Sequence, residues 1–261
     1  MRRTQEEFQV FPFPTMRKFS LDAGRMGRSR HTIHGLIEVD VTDARRWFHQ
    51  HEARTGERLS FTGFIIHCIA EAVSANKQVH AYKNWRNQLV IFNDVDVNTM
   101  VEIESEGRKI PIPHILRAVD KRSFREIHDE IRATQGKPSQ TSEAKFMRWF
   151  LYLPYPVRRI FYWFVMKFPQ HFRDFTSSIM VTAVGMFGRG GGWGIPVANF
   201  PLAITLGGIA EKPGVIDGRI EIRQYLDLTI SFDHDVIDGA PAARFTQHLR
   251  ELIESSYGLA D

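Results

Sequence analysis

From Leu226 to Asp233 apolar and polar residues alternate without a break: Leu226, Leu228, Ile230 and Phe232 against Asp227, Thr229, Ser231 and Asp233. A two-residue period commits this stretch to a strand with one buried and one polar face. Directly after it, Pro241 suits a first helical turn, and Ala242, Phe245, Leu249, Leu252 and Ile253 fall on one helical face. Between strand and helix lie His234, Asp238 and Gly239. A tight turn at that point holds an imidazole rigidly and leaves one ring nitrogen free for proton transfer.

The remaining periodicities predict alternating strands and helices. Phe11-Pro12-Phe13-Pro14 reads as an extended arm, and the basic stretch Arg17 to Arg30 as a short helix weakened by Gly24 and Gly27. Ile37, Val39 and Val41 mark a strand over 32–42, after which Thr42 or Asp43 is expected to cap a helix reaching about Ala53. A helix over 60–76 shows the apolar face Phe64, Ile65, Ile69, Ala72 and Val73. Two β-type runs flank Asn93-Asp94, and Pro111 and Pro113 confine the next extended piece to a sheet edge or strand end. Ser123 and Glu126 form a capping box before Phe124, Ile127 and Ile131. Stretches 178–184, 202–209 and 220–232 are β-like and separated by glycine-rich turns.

Gly136 to Ser142 reads as a polar linker, and the composition then changes. Residues 146–175 mix many aromatic side chains with Arg148, Arg158, Arg159, Lys167 and Arg173. Its longest apolar run, 160–166, is far too short to span a bilayer. Packing on the core or another subunit is the plainer expectation, and peripheral membrane or acyl-chain contact the alternative. The formal charge of +4 is compatible with an anionic substrate or surface and is no nucleic-acid signature. One cysteine, Cys68, sits in an apolar helical pattern, which excludes an internal disulfide and a cysteine-rich zinc site. No apolar signal core follows the N-terminus, so a cytoplasmic protein is expected.

A His-x-x-x-Asp spacing alone arises often by chance, and its strand-to-turn setting with Gly239 raises its weight. Asp233, His234, Asp235 and Asp238 could each ligate a metal, yet consecutive strand residues face opposite ways, so no metal is expected. The glycine-rich stretch 185–194 is a poor phosphate loop, since no Lys-Ser/Thr follows and Pro196 stands where a helix would start. Its expected role is to let backbone approach another segment closely. Thr182 lies in the preceding strand with a hydroxyl able to donate to a substrate, although a strand threonine by itself is ordinarily structural.

The stretch Asp233-His234-Asp235-Val236-Ile237-Asp238-Gly239-Ala240 resembles the His-x-x-x-Asp-Gly motif of the chloramphenicol acetyltransferase-like superfamily. It is most similar to the catalytic domain of the dihydrolipoamide acyltransferases of 2-oxoacid dehydrogenase complexes. Glu38 to Thr42, Phe64 to Ile66, Val97-Asn98, Ile110 to Pro113, Val184 to Gly188 and Pro201 to Gly207 follow that family's order. The resemblance covers nearly everything except 146–175.

It implies an α/β (α+β) fold with a mixed sheet flanked by helices, one catalytic domain over 1–261, and a homotrimer with active sites between subunits. It implies that His234 removes the proton from the thiol of coenzyme A or dihydrolipoyl, which then attacks an acyl thioester. Thr182 matches the residue that hydrogen-bonds the oxyanion, and Asp238 would organise the turn through a basic partner such as Arg17. The expected substrates are acyl-CoA and a thiol or other acceptor, carried in one case by a lipoyl-bearing protein. The family's usual arginine after the histidine is Asp235 here, and the asparagine after the oxyanion residue is Ala183. No lipoyl or peripheral-subunit-binding domain is expected on the chain, and its end lacks the apolar tail that joins trimers into larger cores. A non-catalytic trimeric scaffold or acyl-binding module is the alternative.

Overall fold

The computed structural model describes residues 8–15, 17–105, 108–136, 149–185 and 190–259, with backbone alone at 103–105, 108–110 and 174. The elements are α1 (Arg17–Gly27), β1 (Thr32–Asp40), α2 (Thr42–Thr55), α3 (Phe61–Ala75), β2 (Tyr82–Lys83), β3 (Leu89–Val90), β4 (Val97–Ser105), β5 (Arg108–Leu116), α4 (Phe124–Gln135), α5 (Tyr155–Lys167), β6 (Ile179–Ala183), β7 (Leu202–Ile216), β8 (Arg219–Asp233) and α6 (Gly239–Glu254). Six strands form one mixed sheet in the order β1-β8-β7-β6-β4-β5, and β2 pairs with β3 alone. β6 runs parallel to both neighbours, while the other pairs are antiparallel.

The alternation in β8 sets which face of the sheet is dry. Leu226, Leu228, Ile230 and Phe232 are buried with Ile204 and Val181 against Phe64, Ile65 and Ile69 of α3 and Phe245, Leu249 and Ile253 of α6. Each such side chain contributes about 1.5–3 kcal/mol on leaving water. The opposite face is polar where it carries Asn98, Thr182, Thr205, Thr229 and Ser231. Pro111 and Pro113 lie in β5, at the sheet's edge, where a missing amide costs no ladder bond. Beyond the reach of β1 and β6, β7 and β8 continue as a two-stranded ribbon, closed by Asp217 and Gly218 at φ 48° and 78°. Val215, Ile220 and Ile222 near its tip are exposed.

Helix ends follow the sequence in two cases and depart from it in one. Ser60 Oγ accepts from the Gly63 amide, and Ser123 with Glu126 closes a full capping box. Neither Thr42 nor Asp43 caps α2, whose N-cap is Val41. Asp40 does that work from the end of β1, accepting from Thr42 N at 2.9 Å and Thr42 Oγ1 at 2.6 Å. The glycines of α1 do not prevent the helix: a Cβ on Gly27 would lie 2.7 Å from Val197 Cγ1, so the missing side chain permits close packing there. The first run near Asn93-Asp94 shortens to the two residues of β3. The linker proposed at 136–142 lies almost wholly outside the described residues.

The aromatic-basic segment enters the fold through charges that are paired. Arg158, the buried residue of α5, meets Asp22 of α1, with side chains 6% and 1% exposed, and donates from Nε to Oδ2 at 2.7 Å. Arg25 lies over the Tyr155 ring at 4.0 Å. At the far end Arg173 reaches Asp94 at 2.8 Å and Asp96 at 3.1 Å. Hydrogen bonds from Lys121 and then Arg173 hold the Asp94 carboxyl down at about 2. Between these ties the outward side of α5 is apolar, with Val157, Ile160, Trp163 and Phe164 exposed. Among the described residues no helix is long and apolar enough to cross a membrane.

Candidate active site

The turn after β8 is held from several directions. His234 N donates to His31 O at 2.8 Å, and Asp233 N to Pro201 O at 3.0 Å. The Asp233 carbonyl accepts from Val236 N at 3.0 Å and Ile237 N at 3.2 Å, while its carboxylate accepts from Asp235 N at 3.1 Å. The other carboxylate oxygen of Asp233 is paired with Arg30, both side chains being buried, and Arg30 also faces the Tyr82 ring at 5.7 Å. Ile237 is buried in the core and pins the turn from below. Every one of these ties acts on backbone or neighbours, and the His234 side chain is left exposed. The result is an imidazole on a firm base, open to whatever lies outside this protomer.

Asp235 stands beside it with its carboxylate turned toward His31, Oδ1 to Nδ1 at 2.9 Å. The His31 hydrogen bond lowers the Asp235 carboxyl below its usual range. Among the described residues no three His, Cys, Asp or Glu side chains gather as a metal site. Asp238 is the N-cap residue of α6, and its side chain makes no capping hydrogen bond. One reason is chemical: Pro241 occupies the third helical position and has no amide to offer. Asp238 is exposed, and among the described residues no ion pair joins it to Arg17 at the start of α1. Within the chain Asp233 and Arg30 brace the turn; the resemblance implies a bracing part for Asp238 with a basic partner such as Arg17.

Thr182 is half-buried near the end of β6, its Oγ1 3.4 Å from that of Thr205. Register continues the row: Thr182 is opposite Thr205, and Thr205 opposite Thr229. Next to this row the glycine-rich segment folds back onto β7. A Cβ on Gly185 would fall 1.8 Å from Gly207 O, one on Gly207 2.2 Å from Gly192 O, and one on Gly208 2.1 Å from Gly190 O. Backbone therefore lies on backbone at a β-bulge between Leu206 and Ile209, as the glycine spacing predicts, with 186–189 outside the described residues. Gly208 N donates to Gly192 O at 2.9 Å, and Gly192 N donates to the buried carboxylate of Asp227. Asp233, at the head of the quoted motif stretch, thus shapes the site together with Asp227 and Arg30, which no short motif marks; the one available signal for Asp227 is a charge at a mid-strand position.

The fold keeps Thr182 and His234 apart. Thr229 is two strands from Thr182, and His234 lies five residues further along β8. At about 3.4 Å per residue and about 4.8 Å per strand, the two backbones are roughly 19 Å apart within one protomer. Two side chains that serve one reacting group must each come within about 3 Å of one of its polar atoms, and this pair does not do so within one chain.

The family described as 2-oxoacid dehydrogenases acyltransferase (catalytic domain) matches residues 5–144 and 169–260. The unmatched stretch, 145–168, is most of the aromatic-basic segment. The dihydrolipoyllysine-residue acetyltransferase component of the pyruvate dehydrogenase complex of Bacillus subtilis is 27% identical over 243 residues, covering 88% of this chain and 47% of that protein. The chain thus spans about half the length of such relatives. A probable dihydrolipoamide acetyltransferase from Listeria monocytogenes superposes with a TM-score of 0.71 at 19% identity, covering 96% of each chain. Chloramphenicol acetyltransferase follows at 0.52 and 13%, covering 92% of this chain and 98% of that one. The expected sheet-and-helix fold is the one observed.

Proposed function

The chain belongs to the 2-oxoacid dehydrogenase acyltransferase catalytic-domain family, and from that premise we propose that it transfers an acyl group between a thioester and a thiol. The observation that carries the reading is the clamped turn that presents His234 outward on a rigid base. The neutral imidazole takes the proton of the acceptor thiol, and the thiolate attacks the thioester carbonyl carbon. The Thr182 hydroxyl donates to the oxyanion so formed, a contribution of about 3–4 kcal/mol to the barrier. Collapse breaks the original carbon–sulfur bond, and the departing thiolate recovers the proton from His234. The thioester is acyl-CoA in this reading, and the acceptor is a thiol such as dihydrolipoyl on a separate protein.

The separation of Thr182 from His234 supports a site shared between protomers: His234 of one subunit works with Thr182 of the next in a homotrimer. Asp238, exposed and uncapped, is the side chain proposed to order the turn once the neighbour is present. The proposed compartment is the cytoplasm, in keeping with a free cysteine, Cys68, that is buried. The scaffold alternative draws on Asp235 in place of arginine. That carboxylate is engaged by His31, which favours a turn adapted around Asp235.

The test is release of free thiol from a panel of acyl-CoAs. Replacing His234 with alanine lowers the rate by about 10²–10⁴-fold. Turnover that survives the substitution unchanged refutes His234 as the base, and no turnover with any acyl-CoA or lipoamide favours the scaffold.

A further inference from the structure

The outward face of α5 is built the opposite way from a soluble surface helix. Its inward side is fixed by the buried Arg158–Asp22 pair, and its outward side presents Val157, Ile160, Trp163 and Phe164. The patch continues past the helix. Trp163 and Phe164 rings lie 5.1 Å apart, Phe164 stacks on Phe168 at 5.8 Å, and Phe168 meets Trp85 at 6.0 Å. Trp85 comes from the β2–β3 turn, tied to the insert by its amide donating to Lys167 O at 3.2 Å. It is half exposed, with the Arg86 guanidinium over its ring at 4.8 Å. Contiguous exposed apolar surface of this kind marks an interaction site.

Charge selects the occupant. From 149 to 173 the chain holds no Asp or Glu. Arg158 and Arg173 are spent on internal pairs, while Arg159 and Lys167 in α5 and Arg86 beside Trp85 remain around the apolar stripe. Indole and phenyl rings with cations at their edge and no carboxylate are the composition of an interfacial helix at an anionic bilayer. Each cation near such a surface strengthens binding about fivefold. The family match stops at 144 and resumes at 169, so this helix lies outside the part of the chain that the family shares.

We propose that α5 and the Trp85 turn form a peripheral docking face for anionic phospholipid membranes. The helix lies in the interface with Ile160, Trp163 and Phe164 among the acyl chains, and Arg86, Arg159 and Lys167 at the headgroups. This rests on the surface alone and stands whether or not His234 is a catalytic base.

Co-sedimentation of the full chain with phosphatidylglycerol vesicles, phosphatidylcholine vesicles and no vesicles tests it, with mass by light scattering in parallel. Pelleting is expected with phosphatidylglycerol, weakened by salt, and reduced about tenfold or more in Ile160→Glu/Phe164→Glu at unchanged mass. Quenching of tryptophan fluorescence by bromine-labelled lipid chains, read on the unaltered protein, gives the same answer without a variant. No pelleting and no quenching with phosphatidylglycerol overturns the proposal. So does a double variant whose assembly dissociates while its pelleting persists, which makes the face a contact between copies.

Discussion

Two inactive variants should make one active mixture. In His234→Ala the base is lost, and in Thr182→Val the oxyanion donor is lost, each lowering turnover by about 10²–10⁴-fold and about 10²–10³-fold respectively. The two positions are roughly 19 Å apart in one chain, so on the proposed reading a complete site would take His234 from one subunit and Thr182 from its neighbour. Co-refolding the variants at equal concentration pairs subunits at random around a closed ring, and about one contact in four then has both groups intact. Thiol release should return to about a quarter of the wild-type rate, far above either parent. The converse arm dilutes wild type with the double variant at equal concentration, and each wild-type subunit should keep about half its activity. No gain in the first mixture and no loss in the second, with all samples folded and assembled, refutes a shared site.

Other perturbations probe the parts that hold the site and the insert. Replacing Asp22 by Leu leaves the buried Arg158 without a carboxylate and should cost about 3–5 kcal/mol in denaturant unfolding, with the double replacement Asp22→Leu/Arg158→Met costing less. Gly185→Ala, whose Cβ would overlap Gly207 O, should destabilise by about 1–3 kcal/mol. Gly24→Ala in α1 meets nothing within 4 Å and should stabilise by about 0.5–1 kcal/mol, so equal effects would contradict the packing argument. His80 is fully buried with Nδ1 2.6 Å from Ser178 Oγ, and desolvation, with the Lys77 charge second, pushes its imidazole down to about 4. The unfolded chain therefore takes up a proton near its ordinary 6.5 that the folded chain refuses. Stability is whole above that pH and falls by about 3 kcal/mol as pH drops toward 4. His80→Asn should remove that share of the acid loss in urea midpoints measured from pH 7 to 4, and parallel curves would contradict it.

What the sequence reveals here is local. The period of β8, the cap at Ser60, the box at Ser123 and Glu126, and the edge placement of Pro111 and Pro113 each depend on residues within a few positions of one another. The pairings that shape the site and anchor the aromatic-basic segment do not: Arg30 meets Asp233 across 203 residues, and Arg158 meets Asp22 across 136. Charge partners over such spans are decided by strand order, which no periodicity encodes. The glycine-rich segment lies between these cases, since glycines announce a close approach but not that β7 is what is approached. The α2 cap shows a similar limit, because Thr42 is a proper capping residue but its hydroxyl donates to Asp40 and accepts from the Gln224 amide, 182 residues away. The family resemblance names His234, Asp238 and Thr182 together, whereas the separation of His234 from Thr182 in space follows only from register.

The β7–β8 ribbon has a consequence for how the protein must be handled. Past the sheet it is two strands wide, with open edges and Val215, Ile220 and Ile222 near its tip in water. Two-stranded ribbons are marginal by themselves, and apolar open edges recruit other strands. The ribbon is therefore a sticky finger that the exposed Arg219 and Glu221 only partly guard. The protein's failure on storage should be strand-to-strand aggregation seeded at the ribbon, and dilute stocks should outlast concentrated ones.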